Sequence, residues 1–126
     1  MTVARPLVSS INVVYLYVRD VDRSVAFYRD LLGVPLVRDE HDAAWAEAKL
    51  PGGIRFALHQ SHPGGEPQTP SSVVIDFETS DIEAAAERLR AAGVRVGELM
   101  RKEWGSALEV YDPDGYRIDL FEPPAG

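Results

Sequence analysis

The chain has 126 residues, no cysteine and a formal net charge of −7 at pH 7. The missing cysteines exclude disulfides, thiolate metal sites and a cysteine nucleophile, and the acidic balance argues against a nucleic-acid partner, whose phosphates need a basic face. A composition of 45% hydrophobic and 26% charged residues is that of one globular domain with its own core.

Ile11–Val18 is apolar, β-branched and aromatic, and reads as a first strand. It is too short to span a bilayer and contains Asn12, so no membrane partner is expected. Met1–Pro6 lacks the basic-then-apolar order of a signal peptide, so the expected location is the cytoplasm. Asp20–Ser24 carries N-cap chemistry, and Val21, Val25, Tyr28 and Leu32 recur at helical spacing, with Phe27 and Leu31 widening the stripe and Gly33 as a stop. Val34–Arg38, Ala44–Leu50 and Ile54–His59 read as three further strands, the last two joined by the Pro51-Gly52-Gly53 turn.

Gln60–Pro70 holds three prolines and two glycines without periodicity, as a linker does. The pattern then restarts. Val73–Thr79 is a predicted strand, and Ser80-Asp81 opens a helix with Ile82, Ala85, Ala86, Leu89 and Ala92 on one face, ended by Gly93. Val94–Leu99, Ser106–Tyr111 and Tyr116–Phe121 follow as strands, the last two joined by Asp112-Pro113-Asp114-Gly115, where Pro fixes φ and Gly permits positive φ. The halves align at an offset of about sixty residues, Gly33-Val34 on Gly93-Val94 and Glu47 on Glu109. The predicted organisation is a single α+β domain, residues 1–126, of two strand–helix–strands units. Module 1 covers about 8–60, the linker 61–71 and module 2 about 72–123. The two units join into a curved mixed sheet with helices on its outer side.

Alternation along each strand sorts side chains onto two faces. The apolar sets belong under the helices: Val14, Leu16 and Val18; Ala44, Ala46 and Ala48; Ile54, Phe56 and Leu58; Val73, Ile75 and Phe77; Leu108 and Val110; Ile118 and Leu120. The opposite sets combine aromatic and charged residues: Val13, Tyr15 and Tyr17; Trp45, Glu47 and Lys49; Arg55, Ala57 and His59; Val74, Asp76 and Glu78; Glu109 and Tyr111; Arg117 and Asp119. So many aromatics on a water-facing side call for something to cover them, and a concave wall of this lining is a ligand site.

Val18–Tyr28, Leu31-Leu32-Gly33 and Asp112–Leu120 together resemble the vicinal-oxygen-chelate superfamily, which includes glyoxalase I, bleomycin-resistance proteins, fosfomycin-resistance enzymes and extradiol dioxygenases. The resemblance covers nearly the whole chain. It implies two βαβββ modules forming a cup, usually in a homodimer, and a divalent metal held by the first and last strands of each module. Carried over by motif, the metal positions are Val13, Ala57, Val74 and Asp119. Three of the four are apolar, so the family's metal site is expected to be absent, since a divalent cation demands several donors.

Alternatives remain. His59, Asp119, Glu47 and Glu109 could form a displaced metal site, or His59 with a carboxylate could act as a metal-free acid–base pair. The competing reading is ion pairing, Glu47 with Lys49 or Arg55 and Asp119 with Arg117. His41 and His62 read as solvated. Trp45 is the predicted stacking residue, and Trp104, at the start of a strand, closes the pocket or fills a dimer seam. The expected function is cofactor-free binding of a small aromatic or cationic molecule such as an antibiotic. The expected site is Tyr15, Tyr17, Trp45, Glu47, Arg55, His59, Asp76, Trp104, Glu109, Tyr111 and Asp119. The alternatives are a lyase, isomerase or dioxygenase-like enzyme using one divalent metal at a displaced site, and an accessory dimeric module with a vestigial pocket.

Overall fold

The computed structural model describes residues 11–62, 65–67 and 74–125. Strand β1 (Val14–Val18) leads into helix α1 (Val21–Val25), whose N-cap Asp20 accepts hydrogen bonds from the backbone N–H groups of Asp22 and Arg23 at 3.0 and 3.2 Å. The helix then widens into a π-helical segment, Ala26–Leu31, where the Leu32 N–H reaches five residues back to the Phe27 carbonyl. Gly33, at φ +84°, ends it in the left-handed region. Next come β2 (Val37–Arg38), β3 (Trp45–Lys49) and β4 (Arg55–Gln60).

The second half repeats the order: β5 (Ile75–Glu78), α2 (Ile82–Ala91), β6 (Met100–Lys102), β7 (Gly105–Tyr111) and β8 (Arg117–Glu122). Asp81 caps α2 by accepting from the Ala84 N–H at 3.1 Å. Each module builds a four-stranded mixed sheet, β1-β4-β3-β2 and β5-β8-β7-β6, with the first pair parallel and the others antiparallel. Among the described residues no strand of one sheet pairs with a strand of the other. No described helix is long and apolar enough to cross a membrane.

Several predicted elements differ. The strand predicted from Val34 begins only at Val37, because Pro35 interrupts it. Val34 and Leu36 instead bury their side chains around a tight turn in which the Leu36 N–H donates to the Val34 carbonyl. Val94–Leu99 is reduced to a single bridge, Val96 to Val110, while the exposed edge strand β6 carries no apolar alternation that would have marked it. Trp104 lies in the turn between β6 and β7. The first strand starts at Val14, and Val73 and much of the predicted linker lie outside the described residues.

The helix-side sets form one core across both modules: Val18, Ala46, Ala48, Phe56 and Leu58 with Leu108, Val110, Ile118 and Leu120, against Val21, Val25 and Tyr28 of the first helix and Ile82, Ala86 and Leu89 of α2. Ile54 departs from its predicted face and is half-exposed. A polar clasp ties the β7–β8 turn to the first helix. The wholly buried Asp114 carboxylate accepts from the Arg19 N–H at 3.1 Å, the Arg19 and Arg23 guanidiniums at 3.2 and 3.3 Å, and the Ser24 hydroxyl at 3.3 Å. Asp112 accepts from the buried Tyr28 hydroxyl at 2.7 Å and from the N–H groups of Asp114 and Tyr116. The helical sides of both modules are thereby held together.

Candidate functional site

Strand register assembles an aromatic wall on the first sheet. Tyr17 sits opposite His59, and His59 opposite Trp45, so three rings line up across β1, β4 and β3. Tyr17 and His59 stack with centroids 5.4 Å apart, and Trp45 meets His59 edge-on at 5.4 Å. Tyr15 joins Tyr17 at 5.6 Å and Trp45 at 5.3 Å. His62 meets Tyr17 at 5.5 Å and His59 at 5.6 Å and, exposed as expected, extends the wall at its rim. The backbone of Gly65 closes on the Tyr17 ring, where an added Cβ would lie 2.8 Å from a ring carbon. The Tyr17 hydroxyl is held above its ordinary range, first by hydrogen bonding with Tyr15.

Glu47 and Arg55 neutralise one another on this wall. Arg55 grips both oxygens of Glu47, at 2.8 and 2.5 Å, and the same carboxylate accepts from the Trp45 indole N–H at 3.1 Å. The Arg55 guanidinium also donates to Asn12 at 2.8 Å. Hydrogen bonding from Arg55 holds the Glu47 carboxyl below the usual range. Ala57 lies wholly buried between Tyr15 and Glu47, its register partners.

The second sheet carries a charged counterpart. Register places Asp76, Asp119 and Glu109 in one row across β5, β8 and β7, where the first sheet has Tyr15, Ala57 and Glu47. Arg117 binds Asp119 at 3.0 Å and Glu109 at 3.3 Å, so the ion pair expected with Asp119 forms and extends to Glu109. The Tyr111 hydroxyl donates to Glu109 at 3.1 Å, and the Arg95 guanidinium lies 4.0 Å above the Tyr111 ring. Asp76 has its carboxyl pushed above the usual range, by desolvation first and by the neighbouring Asp119 charge second. This face therefore keeps surplus negative charge.

The predicted site thus divides. Tyr15, Tyr17, Trp45, Glu47, Arg55 and His59 assemble on the first sheet, and Asp76, Glu109, Tyr111 and Asp119 on the second. Among the described residues no side-chain hydrogen bond, ion pair or ring contact joins the two sets. Trp104 belongs to neither, being 55% exposed and stacked on Phe121 at 6.2 Å. Sequence reading missed His62 and Arg95. The His59-x-x-His62 spacing was the available signal for the first, whereas Arg95 depends on the irregular run beside β7. A cavity of about 600 Å³ opens elsewhere, between the π-helical segment and α2, with Leu31, Leu32, Leu50, Phe77 and Leu89 among its walls. It gathers little polar chemistry: the Arg88 guanidinium bonds the Asp30 carbonyl and Asp81 caps α2.

The positions where a divalent metal would sit fit one poorly. Val13 and Val74 lie two residues before Tyr15 and Asp76, on the same sheet faces, and Ala57 is buried under the aromatic wall, which leaves Asp119 as the one donor among the four. His59 and Asp119, the pair that a displaced site would need, stand on different sheets. Among the described residues no group of three His, Cys, Asp or Glu side chains converges as a metal site would require.

The repeated module and its register have counterparts among known proteins. Residues 10–120 match the sequence profile of the Glyoxalase/Bleomycin resistance protein/Dioxygenase superfamily. The chain belongs to that superfamily. It is 31% identical over 127 residues to the lactoylglutathione lyase of Haemophilus influenzae, covering 85% of this chain and 87% of that one. It is 28% identical to the glutathione transferase FosA of Serratia marcescens, covering 90% and 81%. Among solved structures it resembles TnmS3, an antibiotic binding protein from Streptomyces sp. CB03234, with a TM-score of 0.75, 25% identity, and 95% and 100% of the two chains covered. The superfamily's two-module α+β architecture is the one seen here.

Proposed function

We propose that this superfamily member binds a small planar aromatic molecule, such as an antibiotic, without a bound metal. The observation that carries the reading is the five-ring wall of Tyr15, Tyr17, Trp45, His59 and His62, whose one acid, Glu47, is already neutralised by Arg55. Such a surface attracts the flat face of a guest. The acidic row of Asp76, Asp119 and Glu109 adds a preference for positive charge. The likeness to an antibiotic binding protein supports the reading, as do the apolar residues at three of the four metal positions.

The two faces belong to different sheets, so the complete site calls for two copies of the chain. Among the described residues β1 and β5 are outer strands of their sheets with one side unpaired, and such edges invite pairing with another strand. Joining β1 of one copy to β5 of a second brings the aromatic and acidic faces into one curved surface. The protein is therefore a homodimer with two cups.

Calorimetric titration with proflavine, a planar aromatic cation, tests the proposal. Micromolar binding that is abolished in Trp45→Ala and unaffected by EDTA is expected, with a dimer in sedimentation. Binding lost on chelation, with one transition metal per subunit in the purified protein, would replace this reading with that of a metal-dependent lyase, isomerase or dioxygenase-like enzyme, which the likeness to lactoylglutathione lyase favours.

A further inference from the structure

We propose that Arg55 is a positioning residue which, through Glu47, fixes the plane of the Trp45 indole on which the guest stacks. The inference rests on the binding reading above and adds a division of labour within its wall. Arg55 lies diagonally across from Glu47 on the neighbouring strand, Glu47 being paired with Ala57 and Arg55 with Lys49. Its Nε and Nη2 take the two carboxylate oxygens, while Nη1 is anchored by the Asn12 side chain. A fork held at three points leaves the carboxylate little freedom to rotate. The oxygen nearer Trp45 then serves as a fixed acceptor for the indole N–H, 3.1 Å away. The ring contacts of Trp45 with Tyr15 and His59 restrain its position more than its plane.

Three consequences follow. Arg55 and Glu47 are not available to pair with a ligand's charge, although they stand in the lining. The wall presents a stacking surface whose orientation is set before the guest arrives, which lowers the entropic cost of binding. Lys on the same stem cannot replace Arg55, because a point charge does not hold both oxygens.

The test needs a single tryptophan, so it is run in W104F, whose indole stacks on Phe121 away from the wall. The first readout is the tryptophan near-ultraviolet circular dichroism of Trp45, with far-ultraviolet spectra certifying the fold. The band should fall to less than about half in R55M and R55K, and likewise in E47Q, whose amide offers a single oxygen and sets its NH2 against a donor N–H of Arg55 or of the indole. The second readout is the pH dependence of that band. The groups around Glu47 are Arg55, Lys49, Trp45 and His59 on its own sheet face, with Arg38, Asp39 and Glu40 along the adjoining cleft. In the W104F parent the Glu47 transition should lie below the ordinary carboxylate range, in R55M it should move up towards that range, and in E47Q it should vanish. The third is proflavine affinity, expected to weaken about tenfold in R55M, the scale of one misoriented aromatic contact.

An unchanged band and pH profile in R55M would overturn the proposal, as would a lost band with unchanged proflavine affinity. A parent protein that binds no proflavine would strike the binding reading instead, while the two spectroscopic arms still decide whether Arg55 sets the indole.

Discussion

Replacing Tyr28 with Phe should destabilise the protein more at neutral pH than in acid. The Tyr28 hydroxyl donates to Asp112 at 2.7 Å, and both groups are buried. Burial raises the Asp112 carboxyl above its usual 3.8, against the pull of the Tyr28 hydroxyl and the N–H groups of Tyr116 and Asp114. The folded value exceeds the unfolded one, so the folded protein loses stability as pH rises from about 3.8 through the raised value. Removing the Tyr28 hydroxyl deprives the ionised carboxylate of its one side-chain donor among the described residues and lifts the folded pKa further. A buried hydrogen bond to a charged acceptor contributes about 2 kcal/mol, and one to a neutral carboxylic acid about 1 kcal/mol. Urea unfolding of wild type and Tyr28→Phe should therefore give a cost of about 2 kcal/mol at pH 7 and about half that at pH 4. Packing is preserved, because Phe keeps the ring against Phe27, Phe56 and Phe77. Equal costs at the two pH values, or a larger one in acid, would refute the view that Tyr28 serves an ionised Asp112.

Asp114→Ala should cost about 3 kcal/mol, from the orphaned Arg19 N–H and Ser24 hydroxyl, with little assigned to the half-exposed guanidiniums. Differential scanning calorimetry should find Tm lower by roughly 10 °C for a chain of this size. Gly105→Ala should be comparably harmful: φ is +130°, and a Cβ would stand 2.6 Å from the Glu122 carbonyl oxygen. A Tm within about 2 °C of wild type would contradict that geometry. Asp76→Asn should reduce affinity for proflavine several-fold while leaving an uncharged planar guest unaffected, as calorimetric titration of both would tell.

The parts of the architecture legible in the sequence are those governed by local rules. Two-residue alternation placed Tyr15, Tyr17, Trp45 and His59 on one face, and register then brought them together. Asp20 and Asp81 marked the helix starts because capping is satisfied within three residues. The rest depends on distant partners. Asp112 and Asp114 read as turn residues, yet their carboxylates bind residues 84 to 95 positions away. The π-helical segment keeps an ordinary helical pattern of apolar residues, so a 3.6-residue period could not distinguish it. Whether the two lining sets meet is likewise a matter of module placement, which strand alternation does not encode.

That placement leaves the sheet faces opposite the helices outside the contacts that hold the fold. The clasp of Asp112 and Asp114 and the shared core lie on the helical side of both sheets, and none of the stabilising contacts there involves Val13, Ala57, Val74 or Asp119. Residues on the opposite faces can change while the modules stay joined. Ala57 and Asp119, at equivalent positions of the two modules, illustrate the freedom: the first is covered by aromatic neighbours and the second is held by Arg117. Introducing a carboxylate by Ala57→Glu would place an ionisable group in a fully buried position beside the Glu47 carboxylate, whose own charge Arg55 already holds. On the binding reading proposed above, such a carboxylate would compete with the aromatic wall for the same space.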